Sequence, residues 1–322
     1  MNLDGLVQEG AAHLHNTFGL APERSQLIVH DDSAYRAFCA ERNLRAESDG
    51  VYLPPQFEAH INHDARPELA VLHEYFGHGL YCEHAKQAQE LVAGRPTPLL
   101  ESVAESVAIW IEAKLASQIG LAPAFREKYG DYRSPAQQME EQFGPRVVLY
   151  SHGFPKHYDT TILDDILTRV LGASYERVRA ALVFGSRKPY SDIDIYLITD
   201  EPIREITNHW LDLHVRTPSI VEQGIGLLDS TVTHPLLTGD VIRGDRTYVE
   251  ALRARISETP ITPEAIAHNA RLAEAYAKEA TTYPIGSEDH RLTARSSRVH
   301  KALAHELAAG RKTLTYDELI AL

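Results

Sequence analysis

Apolar positions recur at helical spacing at the start of the chain, where Leu3, Leu6, Leu14 and Phe18 predict an amphipathic helix over residues 3 to 18, with His13 and His15 at its surface. Short apolar runs follow. Leu27-Ile28-Val29 and Val51-Tyr52-Leu53 read as strands, the second stopped by Pro54-Pro55, with a helix from Ser33 to Arg42 between them. Pro67 to Leu80 reads as a helix: Pro67 and Glu68 suit a first turn, and Leu69, Leu72 and Phe76 make a buried stripe. Leu99 to Leu115 is a second helix, with Ala104, Ala108, Ile111 and Leu115 on its apolar side. Residues 146 to 158 read as a strand and turn that leave this first domain.

Gly153 and Pro155 interrupt the periodicity and place a boundary near residues 154 to 160, giving domains 1–156 and 157–322. The second domain opens with a helix from Thr161 to Leu171. Strands are expected at Ala180 to Phe184, Ile193 to Thr199 and Leu211 to Val215, with a helix between about Pro202 and His209. Helices then close the chain: Thr247 to Ile256, Pro263 to Thr282 behind an N-capping Thr262, Leu292 to Ala309, and Tyr316 to Leu322. The fold class is α+β, a mainly helical domain with a small sheet followed by a sheet domain with a C-terminal helical bundle.

Composition narrows the function. A chain of 322 residues with 43% hydrophobic and 24% charged residues fits two globular domains. The net charge of −13 argues against a non-specific nucleic-acid binder that neutralises phosphates, so any nucleotide enters as a small molecule carrying its own Mg²⁺. No apolar run approaches a membrane span, and the start, Met-Asn-Leu-Asp-Gly-Leu, lacks the basic and apolar parts of a secretory leader. Two cysteines, Cys39 and Cys82, make no disulfide framework, so a cytoplasmic location is expected.

Candidate chemistry concentrates at two places. In the second domain an apolar run breaks at Gly185-Ser186, and the next strand carries Asp192 and Asp194, whose period-2 spacing puts both carboxylates on one face. Adjacent carboxylates repel unless a cation sits between them, and hard oxygen-preferring Mg²⁺ suits the place. Gly185 lets the backbone approach an anion, and Ser186 adds a donor. These residues resemble the DNA polymerase β-like nucleotidyltransferase superfamily, including the aminoglycoside nucleotidyltransferases. The resemblance covers roughly the second half of the chain and extends into the segment from Pro235 to Asp245. It implies a mixed sheet, a third carboxylate at Asp212, Mg²⁺ on Asp192, Asp194 and Asp212, and Gly185 and Ser186 against the phosphates of ATP. It also implies transfer to a hydroxyl on a small molecule, peptide or protein. Only the five residues Arg187 to Ser191 separate Ser186 from Asp192, a shorter loop than is usual in that family.

The second place is the first domain's helix, where His73, Glu74 and His78 form H-E-x-x-x-H. Histidines four apart lie about 40° around a helix from one another and share a metal, but five apart they diverge by about 140°. A π-bulge, eased by Gly77, restores the shared face. Glu101 and Glu105 on the following helix are four apart, and a carboxylate beside a buried stripe needs a partner or a metal. Glu101 is the expected ligand and Glu105 the support to a histidine N–H, with the reverse as the alternative. His73-Glu74 to His78 followed by Glu101-Ser-Val-Ala resembles gluzincin-type metallopeptidases with an H-E-x-x-x-H helix, a group that includes tyrosine carboxypeptidases acting on tubulin. That resemblance implies a zincin-like domain with Zn²⁺ on His73, His78 and Glu101, and Glu74 as general base. The alternative is a nucleotidyltransferase whose first domain is a non-catalytic, metal-stabilised or partner-binding module. Tyr150, His152, His157 and Tyr158 are candidate oxyanion donors, and His60, His63 and His84 are expected at the surface.

Overall fold

In the computed structural model, which describes residues 2–121 and 134–321, the first unit (Met1–Lys156) is organised by one buried helix, α3. It runs without a break through Pro67–Ala70, Val71–His78 and Gly79–His84, and its central eight residues are wound as a π-helix. Helix α1 (Leu3–Phe18) packs on it where Gly10 leaves room for the Phe76 ring; a Cβ at Gly10 would sit 2.6 Å from that ring. A three-stranded sheet of β1 (Gln26–His30), β2 (Gly50–Leu53) and β3 (Glu58–Asn62) has the order β1-β3-β2, with β1 parallel and β2 antiparallel to β3. Helix α2 (Asp32–Glu41), N-capped by Asp31, connects β1 towards β2.

After the short α4 (Gln89–Val92), helix α5 (Pro98–Gln118) starts at Pro98 behind the Thr97 cap and is buried along most of residues 104–116. It crosses α3 closely, because a Cβ on Gly77 would stand 2.6 Å from the Ala108 Cα. Helices α6 (Pro135–Phe143) and α7 (Pro145–Ser151) finish the unit. The second replaces the strand expected after Arg146: Pro145 supplies a preset first turn, and Val147 to Tyr150 are buried together as one helical turn. Strand β3 was not expected, and it places His60 in the interior at 4% exposure instead of at the surface. There the His60 ring stacks on Phe38 at 3.9 Å and its nitrogens meet His30 (2.9 Å) and Glu58 (3.0 Å), so its polar atoms are satisfied.

The second unit (His157–Leu322) opens with α8 (Thr160–Leu171), capped by Asp159. Strands β4 (Ala180–Phe184), β5 (Ile193–Ile198), β6 (Ile206–Thr207), β7 (Leu211–Arg216) and β8 (Asp240–Gly244) form a mixed sheet of order β6-β7-β5-β4-β8. Only β5 and β7 pair in parallel. The helix expected between Pro202 and His209 is absent: β-branched Ile206 and Thr207 pair with β7, and Asn208 turns the chain by accepting the Trp210 and Leu211 N–H groups. Helices α9 (Pro218–Gly226) and α10 (Ser230–Thr238) precede the edge strand β8, and none of the three was expected. Helices α11 (Arg246–Glu258), α12 (Pro263–Ala280), α13 (Glu288–Ala308) and α14 (Tyr316–Ile320) follow. Leu182, Tyr196 and Ile198 of the sheet pack against Val221, Leu252 and Leu303 of these helices in one apolar core. The chain is thus α+β, and among the described residues no helix is long and apolar enough to cross a membrane.

Candidate metal centres in the two units

In the first unit the π winding decides the geometry. Residues five apart are hydrogen-bonded neighbours in a π-helix, so His73 and His78 share a face, and their rings meet edge to face at 5.0 Å. Both Nε2 atoms lie 3.5 Å from Glu105 Oε2. The three potential ligand atoms fall within 4.8 Å of one another. Behind them the Glu112 carboxylate, 6% exposed, bonds His73 Nδ1 at 2.9 Å and so turns Nε2 towards the cluster.

Burial works against a charge on His73, yet the hydrogen bonds to Glu105 and Glu112 and the nearby Glu74 outweigh it and hold its pKa well above the ordinary value. Burial likewise opposes ionisation of Glu105, but hydrogen bonds and charge from His73 and His78 hold its pKa well below the usual carboxylate range. Glu74, Glu105 and Glu112 together place three carboxylates on two imidazoles. That surplus of negative charge, with two nitrogens and an oxygen converging, fits a borderline-soft divalent ion such as Zn²⁺.

A cleft of about 670 Å³ opens onto Glu74, His78 and Glu105 and is otherwise lined largely by apolar side chains, Tyr52, Pro54 and Leu91 among them. Gly50 lets β2 pass over Glu74, since a Cβ there would stand 2.9 Å from Glu74 Cγ. Of the two glutamates weighed on α5, the alternative, Glu105, stands at the cluster and Glu101 takes neither expected place. Glu105 meets the histidines, whereas exposed Glu101 lines the cleft outside the cluster. The supporting carboxylate is Glu112, which the sequence reading missed, although a glutamate inside the apolar run Ala-Ile-Trp-Ile-Glu-Ala was a usable signal. None of Tyr150, His152, His157 and Tyr158 lines the cleft; His152 Nδ1 bonds the Val148 carbonyl at 2.7 Å, and His157 and Tyr158 belong to the second unit. His63 is exposed, and half-buried His84 bonds the Ala21 carbonyl.

In the second unit, parallel pairing of β5 with β7 sets Asp194 directly beside Asp212. His214 Nε2 lies 3.3 Å from Asp212 Oδ2, and the Thr207 hydroxyl donates to Asp212 Oδ1 at 3.0 Å. Ligand atoms of Asp194, Asp212 and His214 fall within 4.8 Å of one another. Asp192 is not part of this set: β5 begins at Ile193, so the strand alternation expected to align the two aspartates starts one residue too late, and Asp192 is exposed. It still acts on its neighbour. Burial first, then the Asp192 and Asp212 charges, push the Asp194 carboxyl up to about 7. Burial opposes ionisation of Asp212 too, but hydrogen bonds from His214 and Thr207 bring it below its ordinary value.

Gly185 lies in the left-handed region at φ +71, and a Cβ there would be 2.1 Å from Asp194 Oδ2. Only glycine lets this turn touch that carboxylate. The Ser191 hydroxyl donates to Ser186 Oγ at 3.1 Å, and Tyr158 Oη is 3.1 Å from the carbonyl oxygens of Lys188, Ser191 and Asp192. The short loop is therefore closed by the Ser191–Ser186 bond and by Tyr158 from outside it. The oxygen donors of Asp194 and Asp212, with Asp192 near, fit Mg²⁺.

No protein-family model matches the chain, and no curated protein matches it. The chain has a slight likeness to a solved nucleotidyltransferase-like protein from Exiguobacterium sibiricum, at 16% identity and a TM-score of 0.28 over 46% of this chain. It spans 58% of that protein's length, and a likeness this slight carries no functional argument.

Proposed function

We propose that the second unit transfers a nucleotidyl group, most simply adenylyl from ATP, to a hydroxyl acceptor. The observation that carries this reading is the in-register pair Asp194 and Asp212 beside the close turn at Gly185. Asp192, Asp194 and Asp212 would hold Mg²⁺, which supplies charge neutralisation on the triphosphate. Gly185 and Ser186 take its phosphates. The acceptor oxygen attacks the α-phosphorus, its proton passes to Asp212, the bond to the bridging oxygen breaks, and pyrophosphate leaves. Asp194→Asn in the full chain should abolish incorporation of α-labelled nucleotide into an acceptor pool while leaving the fold intact; undiminished incorporation would refute the assignment.

The cluster of His73, His78 and Glu105 supports a second activity, hydrolysis of a peptide or amide bond. These residues would hold Zn²⁺, which supplies Lewis-acid polarisation of a carbonyl. Glu74, facing the cleft, takes a proton from the attacking water and returns it to the leaving amine. About one zinc per chain in wild type, lost in His73→Ala, is the expected metal content. Glu74→Gln should keep the zinc and abolish hydrolysis. Zinc retained with no hydrolysis of any peptide by wild type would leave the first unit as a metal-stabilised, non-catalytic module.

A further inference from the structure

A cavity of about 340 Å³ lies within the second unit, between Asp194 and Asp212 on the sheet and helices α10, α12, α13 and α14. The charges around it do not balance once its carboxylates are engaged. Asp212 is faced by His214, and Arg216 is paired with Glu205. Arg295 of α13 also lines the cavity, yet among the described residues it makes no ion pair or hydrogen bond. With a divalent cation on Asp194 and Asp212, Arg216 stays paired with Glu205 and Asp317 lies near His234, while Arg295, whose charge faces Asp194, is left in the cavity wall without an ion-pair partner.

A neutral donor completes the wall. The backbone N–H of Tyr316 donates to His234 Nδ1 at 3.2 Å, and since that N–H can only donate, the His234 proton sits on Nε2. The ring lies flat on Tyr316, with centroids 4.3 Å apart and planes 2° apart, and burial pushes its pKa down to about 4. It therefore stays an uncharged N–H donor. Phe184, Tyr276 and Tyr316 add aromatic surface.

Resting on the nucleotidyltransferase reading, we infer that this cavity takes the acceptor, and that the acceptor is a hydroxyl compound bearing a phosphate or carboxylate held by Arg295 and His234. A guanidinium fork suits either anion. A polycation would meet Arg295 unshielded and is excluded.

The test is equilibrium binding to the full chain in Mg²⁺ without nucleotide, using ribose 5-phosphate and gluconate as anionic probes, ribose as the neutral probe and spermidine as the polycation. At least one anionic probe should bind about tenfold or more tightly than ribose, and which one does so separates phosphate from carboxylate. Arg295→Gln should remove that preference without moving the thermal midpoint. Asp194→Asn, measured in chelator, should keep it, showing that arginine and not a metal holds the anion. Four results would overturn the inference: spermidine binding in place of the anions, a preference that survives Arg295→Gln, a preference lost in Asp194→Asn, or ATP affinity falling in Arg295→Gln as far as the probe's. If wild type transfers no nucleotide to any acceptor while Arg295-dependent binding stands, the anion site is upheld and the transferase reading falls.

Discussion

Replacing Gly185 with alanine tests whether the turn after β4 is built around the Asp194 carboxylate. At φ +71 any L side chain pays for the left-handed backbone, about 1–2 kcal/mol. The new methyl would also fall 2.1 Å from Asp194 Oδ2 and 2.9 Å from Cγ, so the carboxylate must leave its place beside Asp212 or the turn must move. Overpacking of this kind costs roughly 1–3 kcal/mol, which brings the total to about 2–5 kcal/mol. In a domain of this size that lowers the melting midpoint of the second unit by roughly 5–15 °C. The assay is urea and thermal unfolding in chelator for Gly185→Ala, Asp194→Ala and the double variant. Alanine at 194 retains only its Cβ, 3.3 Å from the new methyl and still a tight contact, so most of the steric part should disappear and the backbone part remain. The double variant should therefore recover about 1–3 kcal/mol relative to additivity. Additive effects, or a Gly185→Ala variant as stable as wild type, would refute the contact.

Other expectations follow from the same two sites. Because the folded-state pKa of Asp194 is raised to about 7, the folded chain binds a proton that the unfolded chain has released, so metal-free stability should fall as pH rises from about 4 to 7. Asp194→Asn should flatten that slope and stabilise the protein at pH 8 by at most about 4 kcal/mol, read from urea midpoints in chelator. Glu112→Gln should weaken zinc binding by about 10–100-fold in competition with a chromogenic chelator, because the His73 ring loses its charged anchor. Glu105→Ala should release the ion, whereas Glu101→Ala should retain it, as measured by metal content. Gly77→Ala, whose methyl would meet Ala108 Cα at 2.6 Å, should separate α3 from α5 and cost about 1–3 kcal/mol of first-unit stability.

Long elements were legible for different reasons: α1 and α3 carry one apolar stripe, α5 is apolar nearly all round over residues 104–116, and α12 announces its start at Thr262 and Pro263. The strands that escaped notice lacked a pattern long enough or apolar enough to register. Strand β3 hides His60, which is bonded to partly exposed Glu58, so its polar letters gave no hint of burial. Strand β6 has only two residues, too few for any period to show. At the edge, β8 is mostly half-buried, and its end is fixed by Gly244, at φ +98, where a Cβ would be 2.2 Å from the Arg179 carbonyl oxygen. Asp194 and Asp212 were both legible as candidates, but their adjacency depends on β5 and β7 pairing in parallel and in register, a tertiary fact that no local spacing carries.

The third member of the histidine cluster shows the same limit more sharply. Glu101, Glu105 and Glu112 are separated by four and seven residues, so all three point to one side of α5, and helical phase cannot choose among them. The choice is made by the sliding offset between α5 and α3, and Gly77 against Ala108 fixes it. Measured along α5 from Ala108, Glu105 is about 4.5 Å towards the N-terminus and Glu112 about 6 Å towards the C-terminus, so they straddle the crossing. His73 is bracketed by the pair, with Nε2 towards Glu105 and Nδ1 towards Glu112. Glu101 is about 10 Å from the crossing along α5, and it lines the cleft outside the cluster. A single glycine that admits a close helix contact therefore assigns one glutamate to the cluster, a second to the back of His73 and a third to the cleft.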